Sequence, residues 1–286
     1  MPEDIIRAER NIAHRIIEEF MIAANEAVAR ELTAKDFPTL YRVHAGPDED
    51  ALEALEPFLL SLGYRLPQNK ENLPPLEIQR LLESARGKPE ERMINRVLLR
   101  SMKQAVYQPE NIGHFGLAST CYTHFTSPIR RYPDLIVHRM LARVMAGEKL
   151  KPKKCADLLH SLQEFGKHTS ERERHAMDAE REMVSLKKAQ FMMTKMGEEF
   201  PGFVNTLVKF GRFVELEEYF IEGLVKLSSL TDDDYDYYEK EYLIKGRRHG
   251  KRFRLGDNVR VRVAKINAFR SEIDFELVQT SGSSGS

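Results

Sequence analysis

The period of the apolar pattern changes at Gly197, and that change divides what the chain can fold into. Upstream, apolar residues recur at the three-to-four spacing that lays a stripe along a helix. Pro152 opens the longest such region, expected to reach about Met196. Downstream, short β-rich runs over 203–216, 221–227, 253–266 and 272–277 are separated by turn residues. Val259, Val261 and Val263 alternate with Arg260 and Arg262, the two-residue period of a half-buried strand. Five or so short strands in so small a span fit a closed barrel. The expectation is an α+β chain: a largely helical portion over 1–196, a small five-stranded β-barrel over 197–279, and a Ser/Gly tail over 280–286 acting as a flexible linker.

A chain of 286 residues can bury a real core, and its 44 basic and 44 acidic side chains cancel, so only local patches can recognise a polyanion. Cys121 and Cys155 form no CxxC pair and no disulfide framework, which favours a reducing compartment. Cys121 and His124 lie three apart, but two ligands do not make a zinc site; a small buried thiol is the simpler reading. The opening MPEDIIRAERNIAHR is too charged for a signal peptide, and no apolar run approaches membrane-spanning length. A cytoplasmic protein with no membrane partner is expected.

From Glu3 to about Leu32 the pattern is helical, with Ile12, Ile16, Phe20, Ala24 and Val28 in one apolar stripe. A second line, Arg15, Glu18, Ile22, Asn25 and Ala29, is mixed, so the helix is expected to be mostly buried. Glu18 is then either paired in the core or facing a site. Residues 40–44 alternate like a strand, and short helices follow around 49–62, 78–82 and, opened by Pro89, 94–98. Residues 105–126 look strand-like. In the long helical region Leu158, Leu162 and Phe165 mark an early inward stripe, and Met177, Val184 and Phe191 a later one. Glu180 falls within the later stripe, so it has either a buried partner or a task.

Residues 114–139 read HFGLASTCYTHFTSPIRRYPDLIVHR. Pro128 has a preset φ and no N–H, so Ser127-Pro128 leads into a tight turn, and Pro133 starts a helix with Asp134 in its first turn. Arg130 is thereby held on a short turn at a helix N-terminus, where a planar guanidinium suits bidentate grip on a phosphate. The plainer alternative is a pair of surface arginines on a loop.

In the barrel region, Phe210, Phe213 and Tyr219 either fill the barrel core or stand exposed on its surface. Asp232, Asp233, Asp234 and Asp236 are followed by Arg247, Arg248, Lys251, Arg252 and Arg254. That basic run either contacts phosphates or is balanced by the acidic one.

The stretch at 114–139, with SPIRRYPD intact, resembles the signature of the RNB family of exoribonucleases. Similarity extends through IIEEFMIAAN at 16–25, LYRVH at 40–44 and AERE at 179–182. FGRFVEL at 210–216 with EGLV at 222–225 resembles the RNA-binding domain named after ribosomal protein S-one, an OB-fold barrel. That domain carries a histidine where Lys226 stands, and lysine keeps a phosphate-binding cation there. The resemblance implies hydrolysis of RNA from its 3′ end to nucleoside 5′-monophosphates, with two magnesium ions activating water and steadying the reacting oxygens. It assigns the catalytic arginine to Arg130 and carboxylates near the terminal nucleotide to Glu18 and Glu180. Arg131, Tyr132, Arg247, Arg248, Lys251 and Arg252 join Phe210, Phe213, Tyr219 and Lys226 as candidate RNA contacts. The family's magnesium-binding aspartates precede the IIEEFMIAAN helix, whereas the aspartate run at 232–236 here sits in the barrel. The expectation is therefore a C-terminal half with no metal ligands of its own. It would act on single-stranded RNA and not DNA, completed by an N-terminal half; the alternative is a non-catalytic single-stranded RNA-binding module.

Overall fold

Asn11 sets the start of the first helix. Its side chain accepts the His14 N–H at 3.1 Å, while its own N–H donates to His14 Nδ1 at 3.3 Å, closing a capping box. Helix α1 (Ile12–Ala34) thus begins at Ile12 rather than at Glu3. The structure, a computed structural model, describes residues 2–6, 10–67, 73–88, 90–239 and 242–278. Pro89 and the tail over 280–286 lie outside the described residues.

Strand β1 (Tyr41–Val43) pairs antiparallel with β2 (Val106–Gln108), placing Arg42 opposite Tyr107. Of the 105–126 segment expected to be strand-like, only β2 is a strand. Gly113 and Ala118 take φ of +78° and +51°, which break the extended run into turns. Between β1 and β2 lie α2 (Glu49–Ser61), α3 (Pro75–Ala85) and α4 (Glu91–Ser101). Helix α5 (Tyr132–Met145) follows, with Pro133 in its first turn. Helix α6 (Pro152–Met192) spans 41 residues. It lies close on β2 because Gly166 has no side chain: a Cβ there would sit 2.5 Å from the Tyr107 carbonyl oxygen. One turn later Ser170 Oγ accepts the Tyr107 N–H at 2.9 Å.

Beyond Gly197 come β3 (Glu199–Val208), β4 (Gly211–Leu216), β5 (Glu222–Lys226), β6 (Tyr235–Tyr238), β7 (Leu243–Gly246), β8 (Arg252–Arg254), β9 (Asn258–Asn267) and β10 (Glu272–Leu277). Five close a barrel in the order β10-β5-β4-β3-β9, with β10 pairing β9 and running parallel to β5. The expected 253–266 run divides at Gly256 (φ +85°) into β8 and β9. Strand β8 belongs with β6 and β7 in a separate three-stranded sheet inserted between barrel strands.

Apolar clusters hold the described residues together, the three largest joining helices to helices and helices to the barrel. Leu32, Leu40, Ile136, Val137 and Leu162 join α1, α5 and α6. Leu52, Leu59 and Ile94 of α2–α4 pack with Leu207, Ile244 and Phe253 of the barrel and its insertion. The barrel core, including Val214, Val225, Val261 and Phe275, takes in Ala189, Phe191 and Met192 at the end of α6. Each such side chain, fully buried, contributes roughly 1.5–3 kcal/mol. The stripes read from periodicity are only partly covered. Asn25, Ala29 and Leu32 of α1 are buried, yet Ile12, Ile16 and Phe20 are exposed. On α6, Leu162 and Phe191 are buried while Phe165, Met177 and Val184 are exposed. No helix among the described residues is long and apolar enough to cross a membrane.

Candidate active site and nucleic-acid interface

The Arg130 turn is fastened from both sides by buried polar side chains. Asn25, 2% exposed on α1, accepts the N–H groups of Phe125 (2.9 Å) and Thr126 (3.2 Å) through Oδ1 and donates to the Tyr122 hydroxyl at 2.9 Å. Asp134, fully buried in the first turn of α5, accepts the Ser127 N–H at 2.7 Å. Its Oδ1 also takes the Arg131 guanidinium at 2.7 Å. The Ser127 carbonyl then receives the N–H groups of both Arg130 (3.2 Å) and Arg131 (3.0 Å), closing the corner. Arg131 is therefore committed to holding the turn. Arg130 is exposed, and its guanidinium has no hydrogen bond or ion pair among the described residues. Tyr132 beside it is about half exposed, with its ring edge-on to Phe165.

His124 lies against this turn. Its Nδ1 bonds the Tyr107 hydroxyl at 2.8 Å, and Arg42 stacks over the Tyr107 ring at 4.6 Å while pairing with Glu173 at 2.6 Å. Burial, then the positive field of Arg131, Arg42, His114 and Arg130, pushes the His124 pKa down to about 3, so the imidazole is neutral at neutral pH. Burial and neighbouring cationic groups also take His114 down to about 4, and burial raises Tyr107 to about 12. Sequence reading weighed His124 only as a zinc ligand beside Cys121 and passed over Tyr107, whose approach to His124 has no local signal in the sequence.

Glu18 and Glu180 do not stand where their periodicity puts them. Glu18 is half exposed and pairs with Arg10, since the outer half of α1 is uncovered. Glu180 is exposed midway along α6, between Met177 and Val184, which are exposed too. Neither carboxylate bonds Arg130 among the described residues.

On the barrel, Phe210, Phe213 and Lys226 come together in one groove, joined by Lys265 and Asn267, which sequence reading missed. Phe210, at the β3–β4 turn, is 61% exposed. Lys226 is held by Asp274 at 2.7 Å. Glu222 lines the same groove; burial raises its pKa, partly offset by Arg96 of α4. Tyr219 is a correction. It is 9% exposed and packs edge-on to Phe191 and Phe200 in the barrel core, so it offers no face to a base.

Most of the basic run is also spoken for. Arg247 pairs with Asp236 through two bonds of 2.8 and 2.5 Å, Arg248 with Asp234 at 3.2 Å and Lys251 with Asp232 at 3.0 Å. Pairing across the β6–β7–β8 sheet brings the acidic and basic runs together, which corrects the reading of Arg247, Arg248 and Lys251 as open phosphate contacts. Arg252 is exposed, with no side-chain partner among the described residues. Arg212 is fully buried in β4, its guanidinium 3.6 Å from the Phe253 ring centre, and burial lowers its pKa to about 10. Among the described residues, no group of three or more His, Cys, Asp or Glu could hold a metal ion.

An exposed arginine turn on a helical layer thus precedes a five-stranded barrel with an aromatic and cationic groove. The RNB domain family matches residues 1–147, and the S1 RNA binding domain family matches residues 194–277. The chain belongs to the RNB family. It is 47% identical over 278 residues to "Ribonuclease R" of Aquifex aeolicus, covering 97% of this chain and 39% of that protein. With "Ribonuclease R" of Escherichia coli it shares 41% over 285 residues, covering 97% and 35%. The chain thus spans well under half the length of these relatives. Among solved structures, Mycoplasma genitalium RNase R in complex with ribose methylated single-stranded RNA superposes with a TM-score of 0.87 at 27% identity, over 95% of this chain and 42% of that one. Yeast Ssd1, a pseudonuclease, shares the fold with a TM-score of 0.66 at 21% identity, covering 82% of this chain and 29% of that one. Fold alone therefore does not decide turnover.

Proposed function

We propose that this chain is the C-terminal portion of an RNB exoribonuclease that hydrolyses single-stranded RNA from the 3′ end to nucleoside 5′-monophosphates. The observation that carries this reading is the exposed Arg130, unpaired among the described residues, on a turn fixed by Asn25 and Asp134. A guanidinium held in place before the reaction stabilises charge that grows on the phosphoryl oxygens without reorganising at that moment. Neutral His124 adds no competing positive charge and, through Tyr107, braces the side of the turn facing Arg42. In the barrel groove Phe210 and Phe213 stack bases, and Lys226 exchanges Asp274 for a phosphate.

Magnesium does not fit the residues described here, so its ligands belong to a preceding RNB segment, whether on the same polypeptide or a partner. The exposed apolar residues Ile12, Ile16 and Phe20 of α1 form a face on which that segment packs. Glu18 becomes enclosed only there. A second reading, a single-stranded RNA-binding module without turnover, is favoured by the same lack of a metal-holding group among the described residues. Supplying the chain with an RNB segment that carries the family's aspartates, in magnesium, separates the two. Release of nucleoside monophosphates supports the first, and tight RNA binding without release supports the second.

A further inference from the structure

Helix α6 is a rod between the two halves. At Glu173 it is tied to Arg42 of β1, and at Lys188 its ammonium donates to the Phe220 carbonyl at 2.6 Å beside the barrel. Fifteen residues of helix separate those ties, about 22 Å at 1.5 Å per residue. Midway along this span the β9–β10 turn comes up to the helix, and the two enclose a cleft of about 650 Å³. Arg181, Glu182 and Met183 line it from α6, and Phe269, Arg270 and Ser271 from the turn.

The turn is built to present its side chains outward. Asn267 Oδ1 accepts the Arg270 N–H at 3.4 Å, and Ser271 takes the left-handed conformation (φ +54°) that ends the short helical turn. Phe269 is left fully exposed, at 103%. Arg270 has no side-chain partner among the described residues, and Arg181 is shared with Asp178 at 3.4 Å in the open. A fully exposed phenylalanine in a cleft that two arginines also line is poorly suited to water and well suited to stacking a base whose phosphates the arginines meet. The cleft adjoins the Phe210–Lys226 groove: Ser271 lines both, and Asn267, which starts the same turn, lines the groove.

We propose that the cleft between α6 and the β9–β10 turn is a second site for single-stranded RNA, with Phe269 as base platform and Arg270 and Arg181 as phosphate contacts. It seats the nucleotides between the barrel groove and the 179–186 stretch of α6. This rests on the reading of the barrel groove as an RNA site, and it makes α6 part of the RNA path as well as a link between halves. Room for a nucleotide is present, since ligand sites of this kind fall in the range of several hundred Å³.

The test uses fluorescent oligouridylates of about four and about twelve nucleotides, spanning the site sizes of single OB barrels, titrated by anisotropy in EDTA so that no probe is hydrolysed. Wild-type chain gains affinity on lengthening the probe, because the longer strand reaches from groove to cleft. In Phe269→Ala that gain shrinks by roughly five- to a hundredfold, the loss of one base stack; Arg270→Gln shrinks it further and flattens its salt dependence. Phe210→Ala weakens both probes alike. Phe269 has no packing to lose, so its variant stays folded. A gain on lengthening that is unchanged in Phe269→Ala and Arg270→Gln, with Phe210→Ala still weak, overturns the cleft and leaves the groove standing. No saturable binding of either probe by wild type overturns both.

Discussion

Asn25 on α1 and Asp134 on α5, more than a hundred positions apart, between them hold the backbone N–H groups of Phe125, Thr126 and Ser127, three consecutive residues leading into the Arg130 turn. Both side chains are buried, so the turn's position is set by two helices at once. Losing one partner strands backbone donors that no water reaches cheaply. Asn25→Leu is expected to lower stability by roughly 1–3 kcal/mol through two orphaned N–H groups. Asn25→Asp keeps an acceptor and should lose less at low pH than at high pH, where its charge would be buried. Chemical denaturation of the three proteins checks this. Equal loss in both variants at every pH would mean the side chain only fills space.

Arg212 predicts the opposite sign. Its guanidinium is fully buried over Phe253 with no ion pair among the described residues, and burial already lowers its pKa to about 10. Replacing a buried charge by an apolar side chain of similar length is often neutral or stabilising by roughly 1–4 kcal/mol. Arg212→Met should keep or raise the thermal midpoint of the barrel. A fall of several degrees would show that the stack on Phe253 outweighs desolvation.

pH dependence follows from His124 and His114, whose pKa values fall to about 3 and about 4 in the folded chain, chiefly through burial. The unfolded chain takes up protons near the ordinary histidine value, about 6.5, while the folded chain resists until far lower. Stability from these groups is thus complete above about pH 6.5 and declines as pH falls towards about 3–4, by at most about 1.4 kcal/mol per pH unit for each group. His124→Gln should flatten the decline between pH 6.5 and 4.5 in a series of melting curves. An unchanged slope would place the proton uptake elsewhere.

The barrel aromatics divide by exposure. Phe210→Ala should weaken single-stranded RNA binding by roughly 1–3 kcal/mol without moving the melting temperature. Tyr219→Ala should destabilise the barrel by roughly 3 kcal/mol or more, because its ring packs against Phe191 and Phe200. Circular dichroism beside a binding titration distinguishes the two effects. Reversal of their roles would put the RNA face on the other side of the barrel.

The change of period at Gly197, the proline-opened α6 and the Arg130 turn were all legible in the sequence, because each is fixed by local chemistry. Proline sets φ, glycine ends a helix, and alternation follows from the strand itself. What was not legible depends on partners distant in the chain. Periodicity put Glu180 in an apolar stripe and Glu18 on a mixed line of a helix expected to be mostly buried, but it does not report whether anything covers those faces, and here nothing among the described residues does. Tyr219 carries the same ring whether it stacks a base or fills a core. Arg247, Arg248 and Lys251 lost their open character only when β6, β7 and β8 brought the aspartates alongside. The grip of Asn25 on residues 125 and 126 has no local signature at all.

Arg130 is where the account is most exposed to test. The measurement is single-turnover release of nucleoside 5′-monophosphates from a 3′-tailed single-stranded RNA, in magnesium and at saturating RNA, by this chain assembled with an RNB segment carrying the family's aspartates. Arg130→Lys is compared with wild type. If the guanidinium acts on charge that develops during phosphoryl displacement, the lysine variant should bind RNA as wild type does. Its rate should nevertheless fall on the order of a hundredfold or more, since the planar fork is lost while one charge remains. A near wild-type rate in Arg130→Lys, or a loss confined to RNA affinity, would contradict the role given to Arg130.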